Sequence, residues 1–337
     1  MTMTADQKLL SKFYETIGNK INGQLIDIID GPVVCNFIVK PTDKSNMTTI
    51  TKAAHDNEYV VTCSAQRITV QIPKESRQMI FLEKLLKSKE FQNTDAVLPM
   101  VMGVDTFGDI IINDLQKMPH LLVTGRTGSG KSIFLNCLLK SLESALSPSE
   151  CKFVIIDPMG VDHNHWDGNK HLLRPVVRLD AYEAVQALQD IVQLVDDRYQ
   201  KLADNKVKNI FEYNQTATKK DMPYIVVVVD EMADLMCVGK RKTEFCVQAI
   251  ANKARAVGIH LVLATQRPDN NTLTAVIRAN MPTRVAFQAR SSKDSMLMLG
   301  ERGAENLMPC GDMLFSDAGR YPIRIHSPYI DLFSRKC

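Results

Sequence analysis

His120-Leu121-Leu122-Val123-Thr124-Gly125-Arg126-Thr127-Gly128-Ser129-Gly130-Lys131-Ser132 runs an apolar segment into a glycine-rich turn, and an apolar-periodic stretch follows. This is the strand, loop and helix setting that a G-x-x-x-x-G-K-[ST] motif requires. The glycines let backbone N–H groups wrap phosphate oxygens, and the helix N-terminus adds the positive end of its dipole. Lys131 is placed to reach the β and γ phosphates and Ser132 to ligate magnesium. Gly125, Arg126, Thr127, Gly128, Ser129, Gly130, Lys131 and Ser132 are thus the expected nucleotide-binding residues, with ATP and Mg2+ as cofactors.

Around this motif strands and helices alternate. Strands are expected at 121–124, 153–156, 225–229 and 260–264, and helices at 132–146, 181–202 and 243–257. That order predicts an α/β fold with a parallel sheet around the P-loop. Residues 225–229 are apolar at every position, the pattern of a central strand covered on both faces. Asp230 and Glu231 follow it directly. Asp230 suits magnesium and Glu231 suits the attacking water, two roles that phosphoryl transfer needs because its catalysis is positioning and electrostatics. An acid at a strand end can also be a plain helix cap. The strand at 259–264 ends in Thr265-Gln266, which places Gln266 to sense the γ phosphate; the plainer alternative is an amide satisfied within its loop. Arg255, near a helix end, either favours that C-terminus or completes a neighbouring copy's site.

Upstream, residues 1–96 mix β-rich runs (33–39, 59–62, 67–72) with a helical one (81–89), a small α+β unit. Polar stretches at 42–46 and 92–95 read as loops, the latter as the boundary before a second unit, 97–337. With 337 residues, 45% of them hydrophobic, the chain can bury a sizeable core. Its longest apolar runs fall far short of the roughly 20 residues of a membrane span, and the first residues lack the features of a secretory signal, so the expected compartment is the cytoplasm. Eight cysteines without a C-x-x-C pair argue against a zinc site or a disulfide framework. His163-Asn164-His165-Trp166 lacks the carboxylates or cysteines that would make it a metal site. The net charge of +3 hides a local excess: residues 238–302 hold eleven Lys and Arg against four Asp and Glu, a balance of +7. An anionic partner or a solvated basic face would each produce it.

Beyond the nucleotide motifs, Lys117-Met118-Pro119-His120, Lys253-Ala254-Arg255-Ala256-Val257-Gly258-Ile259-His260, Ala264-Thr265-Gln266-Arg267-Pro268, Pro282-Thr283-Arg284 and Gly311-Asp312-Met313-Leu314 resemble the motor domains of the FtsK/SpoIIIE double-stranded DNA translocases. The resemblance covers nearly the whole chain, with the first unit similar to that family's α domain and the second to its β domain, which implies a RecA-like P-loop ATPase core for 97–337. It implies a homo-oligomeric, hexameric ring that hydrolyses ATP at subunit interfaces and tracks double-stranded DNA. It also implies that Arg255 is a trans-acting arginine finger and that Arg267 and Arg278 lie in the DNA-contacting channel loops, with Lys293 as a further DNA contact.

Departures accompany the likeness. Asp157-Pro158 is followed by Met159 where the family has lysine, and the basic residues of 290–295 are placed differently. Ending at Cys337, without a winged-helix γ domain or a membrane anchor, the sequence reads as a stripped motor, either cut from a longer protein or free-standing, with its start slightly favouring the second. Two rivals stay open: a related motor that moves protein in a secretion system, and an ATP-gated DNA clamp or scaffold that does not translocate.

Overall fold

The computed structural model describes residues 5–16, 23–41, 59–64, 67–216 and 221–331. The loop expected at 42–46 and Cys337 lie outside them.

The N-terminal strands β1 (Gly23–Asp30), β2 (Val34–Pro41), β3 (Val60–Ser64) and β4 (Arg67–Pro73) form an antiparallel sheet in the order β1-β2-β4-β3. The helix Ala5–Thr16 covers it, burying Leu9 and Phe13 against Phe37, Val39, Ile68 and Val70; the Phe13 and Phe37 rings stack at 4.5 Å. Two buried hydrogen bonds tie this sheet to the rest of the chain: Asn36 Nδ2 donates to the Thr106 carbonyl at 2.7 Å, and Arg324 donates to Gln71 Oε1 at 3.1 Å.

The remaining strands build one ten-stranded sheet. In chain order they are β5 (Pro99–Asp105), β6 (Ile110–Asp114), β7 (His120–Thr124), β8 (Cys151–Asp157), β9 (Val177–Arg178), β10 (Tyr224–Val229), β11 (Ile259–Thr265), β12 (Thr283–Phe287), β13 (Asp312–Ser316) and β14 (Ile323–His326), and the spatial order is β6-β5-β14-β13-β12-β7-β11-β10-β8-β9. From β12 to β9 the strands are parallel. The expected α/β class with a parallel core is therefore observed. β10 lies between β11 and β8, and its apolar run works on both faces. Ile225, Val227 and Val229 pack with Leu188, Ile191 and Ile250, while Val226 and Val228 pack with Leu135, Leu138 and Leu142 of the helix Lys131–Ala145. Each fully buried valine or isoleucine there is worth about 1.5 to 3 kcal/mol.

Three features differ from expectation. An antiparallel extension, β13, β14, β5 and β6, widens the sheet beyond β12. The helix expected at 243–257 begins instead at Met232 and runs to Lys253; Gly239 inside it is non-helical (φ −148°, ψ 44°), which masks the earlier part as a helical pattern. The helix expected at 81–89 is two short helices, Leu82–Leu86 and Lys89–Gln92, with Ser88 capping the second. Leu82, Leu85 and Phe91 are buried against Val101, Val104 and Cys137. Among the described residues Cys35, Cys137, Cys151 and Cys246 are buried and Cys237 and Cys310 exposed, all as free thiols. No helix among them is long and apolar enough to cross a membrane.

Two histidines at the start of adjacent strands are built in as neutral groups. His120 Nδ1 accepts from Leu261 N (3.1 Å), and His260 Nδ1 lies 3.1 Å from the Pro119 carbonyl it must donate to. Burial drives both down, His120 with help from His260, to about 3 and about 4. Unfolded, each titrates near 6.5. The unfolded chain thus binds more protons as pH falls below that value, and stability falls with it. Each buried histidine is expected to remove on the order of 2 kcal/mol by pH 5. Urea unfolding at pH 7.5 and pH 5 measures this. His260→Asn, which keeps a donor for Pro119, should shrink the pH-dependent loss by about that amount; an unchanged loss would clear His260 as its source.

Candidate active site

Parallel pairing brings the C-terminal ends of β7, β11, β10 and β8 to one edge of the sheet, with Thr124 level with Thr265 and Val229 level with Leu263. Chain leaving these ends supplies the P-loop, Asp162, His163, Asp230, Glu231 and Gln266, as is general for open α/β sheets. The loop after β7 is pinned at three points: Gly125 N donates to the Thr265 carbonyl (3.3 Å), Arg126 N to the Gln288 carbonyl (3.1 Å), and Gly311 N to the Ser129 carbonyl (2.8 Å). Gly130, at φ +111°, is the N-cap of the helix Lys131–Ala145 and has no side chain with which to cap it. A Cβ there would stand 2.8 Å from Gly311 N, so close approach as well as conformation demands glycine. The uncapped amides of this terminus face the cavity, a ready anion site.

Lys131 is almost fully buried; its Nζ donates to the Asp230 carbonyl at 2.8 Å and forms an ion pair with the Asp230 carboxylate. The other Asp230 oxygen, Oδ2, is 3.1 Å from His163 Nε2. Burial alone would raise the Asp230 carboxyl, but the His163 hydrogen bond and the Lys131 charge hold it well below the usual carboxylate range. Ser132 Oγ donates to Asp162 Oδ2 at 2.7 Å. Glu231 is the N-cap of the helix Met232–Lys253: its Oε1 accepts from Ala233 N (3.1 Å) and Thr265 Oγ1 (2.6 Å), and its Oε2 from Gln266 N (3.0 Å). Gln266 Oε1 accepts from Thr127 Oγ1 at 2.6 Å, linking the end of β11 to the P-loop. Gln266 is thus not an amide closed within its own loop.

A cavity of about 440 Å³ lies over these groups, lined by Arg126, Thr127, Lys131, Ser132, Asp162 and Gln266 on one side. Cys310, Gly311, Ser327, Pro328 and Tyr329 close the other side. Sequence reasoning missed that second wall. Its one signal was Gly311-Asp312-Met313-Leu314, a motif that carried no assigned role. Asp162 and His163 were also missed as site residues.

Lys131, Ser132, Asp230, Glu231 and Gln266 therefore converge, whereas Arg255 does not join them. It is exposed and lines a separate cavity of about 630 Å³ with Lys117, Tyr199, Phe211 and Lys253, near the start of β11. The expected DNA contacts lie outside the nucleotide cavity. Arg267 is exposed in a cleft of about 340 Å³ with Arg126 and Arg290, beside Asp269 and Asp294. Arg278, in the short helix Ala275–Asn280, donates to the Leu273 carbonyl just ahead of that helix, and Lys293 is exposed on the helix Ser292–Leu299.

A family model described as FtsK/SpoIIIE family matches residues 81–270, the span holding every group of the site except the second cavity wall. The chain belongs to the FtsK/SpoIIIE family. It is 37% identical over 96% of its length to the DNA translocase FtsK of Brucella melitensis, covering 44% of that protein, and 36% identical over 92% of its length to that of Rickettsia prowazekii, covering 47%. The chain thus spans less than half the length of these curated relatives. Among solved structures it is similar to the pCW3 conjugation coupling protein TcpA, a monomer form with ATPgS, at TM-score 0.63 and 21% identity over 96% of this chain and 93% of that one. The cytoplasmic domain of the Thermomonospora curvata type VII secretion ATPase EccC gives TM-score 0.67 and 25% identity over 75% of this chain and 32% of that one.

Proposed function

We propose that the chain is an ATP-hydrolysing motor that moves double-stranded DNA through a hexameric ring of identical subunits in the cytoplasm, with residues 97–337 as the motor unit and 1–96 as a smaller accessory unit. The convergence of Lys131, Asp230, Glu231 and Gln266 on the P-loop at one strand edge carries the ATPase half. The donor set fits Mg-ATP: uncapped helix amides and a lysine for phosphate oxygens, and a hydroxyl beside a carboxylate for a hard cation that prefers oxygen. Bound Mg2+ would neutralise charge on the phosphates. With nucleotide bound, Lys131 would exchange Asp230 for phosphate oxygens, Ser132 and Asp230 would hold the metal, Glu231 would orient the attacking water, and Gln266, bridging P-loop and Glu231, would register nucleotide state. Arg255 serves a neighbour's site.

The DNA half is supported by the relatives' name and by the local +7 balance, with Arg267 in an arginine-lined cleft and Arg278 and Lys293 nearby in sequence. Contacts of this kind go to phosphates and weaken steeply with salt. Steady-state ATP hydrolysis with and without long linear duplex DNA, at low and high salt, tests it. Several-fold stimulation that fades with salt is expected. Turnover indifferent to duplex would instead favour a protein-moving role, like the secretion ATPases that share the fold, or a DNA clamp.

A further inference from the structure

We propose that His163 is a positioning residue for the metal-binding half of the nucleotide site, fixing Asp230 through its Oδ2 so that the other carboxylate oxygen is presented to the ion. This rests on the Mg-ATP assignment above and adds residues to it that lie outside both nucleotide motifs. The segment 157–166 after β8 is built as a bracket. Asp157, buried at the strand end, accepts from Gly160 N (2.9 Å) and Asp162 N (3.1 Å) and so folds the turn back over the P-loop helix. Trp166, fully buried, anchors the far end: its Nε1 donates to Asn136 Oδ1 (2.8 Å), and Asn136 Nδ2 donates to the Ser132 carbonyl (2.9 Å). Arg178 adds a bond to the His163 carbonyl at 3.2 Å.

Between these anchors the turn delivers two side chains, each to one expected metal ligand. Asp162 takes the hydroxyl proton of Ser132, and a serine that donates its only proton there turns its lone pairs elsewhere. His163, fully buried, meets Asp230 Oδ2. A carboxylate has no proton to give, so Nε2 is the donor, and the remaining ring nitrogen, Nδ1, has no hydrogen-bond partner among the described residues. The imidazole therefore makes one side-chain hydrogen bond, and that bond goes to the Asp230 carboxylate. Asp230 Oδ1 pairs with Lys131 instead. When Lys131 turns to phosphate, Oδ1 would be freed while Oδ2 stays held by His163, which keeps the carboxylate from rotating away from the ion. Groups that hold a ligand's second atom in this way commonly change metal affinity 10- to 100-fold when removed.

The test is equilibrium binding of a fluorescent ATP analogue to the full chain, in EDTA and across a Mg2+ titration, for the unaltered protein, His163→Leu and His163→Gln. Glutamine can bring its amide nitrogen to the place of Nε2. The leucine variant is expected to bind as the unaltered protein does in EDTA, within about two-fold, yet to need about ten-fold more Mg2+ to reach tight binding; glutamine should restore most of that loss. An unchanged Mg2+ requirement in His163→Leu would overturn the inference. So would equal weakening of both variants in EDTA and Mg2+ alike, the mark of a packing role. If the unaltered protein binds no better with Mg2+ than with EDTA, the Mg-ATP assignment falls and takes the inference with it.

Discussion

Replacing Glu231 with glutamine is expected to lower steady-state ATP turnover by about 10²- to 10⁴-fold while leaving binding of an ATP analogue within a few-fold. Glu231 has two jobs. As the N-cap of the helix Met232–Lys253 it accepts from Ala233 N, and with Thr265 Oγ1 and Gln266 N it joins two strand ends. Those bonds hold the carboxylate in place beside the P-loop. Alanine would remove the cap and strand three donors, at a cost of about 1 to 2 kcal/mol that would blur the result. Glutamine keeps one acceptor oxygen of the same reach for Ala233 N and Thr265 Oγ1; it gives up the bond from Gln266 N and, with it, the negative charge that orients and deprotonates water. Hydrolysis measured beside analogue binding and a thermal melt separates the outcomes. A glutamine variant that melts normally and turns over within about ten-fold of the unaltered protein would leave Glu231 a structural cap alone.

The groups that were legible in the sequence are those whose chemistry is written in a short stretch. The P-loop needs glycines at fixed offsets, and Gly130 has the conformation and the close approach to Gly311 that explain one of them. β10 reads as central because both of its faces are buried, and Asp230 and Glu231 read as site residues because they follow such a strand. What escaped depends on partners distant in sequence. The pairing of β14 with β5 joins opposite ends of the ATPase region, and neither strand carries a local sign of it. His163 carries no motif. Its meaning comes from Asp230, 67 residues away, and from a turn folded back by Asp157. The start of the helix at Met232 was obscured by Gly239, whose backbone leaves the helical region. The basic residues of 238–302 were legible as a charge excess but not as a surface, since Arg278 donates to the Leu273 carbonyl ahead of its own helix while Arg267 is exposed in a cleft.

Arg255→Ala is expected to lower ATP turnover by about 10³-fold or more, and mixing that protein with Lys131→Ala, itself inactive, is expected to restore activity. The fold makes the reason geometric. Gln266 follows the end of β11 beside the P-loop, whereas Arg255 precedes its start, where its charge bears on His120 and His260. Seven residues of strand at about 3.3 Å each separate the two by roughly 20 Å, beyond any side chain's reach. Arg255 also lines a cavity that shares no residue with the nucleotide cavity. It therefore cannot serve its own phosphates, and a catalytic role requires a second copy arranged head to tail. In such a ring, a subunit with Lys131 intact can receive Arg255 from a Lys131→Ala neighbour, so random mixing in equal amounts should make about a quarter of the sites whole. Two inactive proteins that regain activity together establish the trans arrangement. Mixtures that stay inactive, although both variants assemble as the unaltered chain does, would remove Arg255 from the active site and leave it a cation near a helix C-terminus.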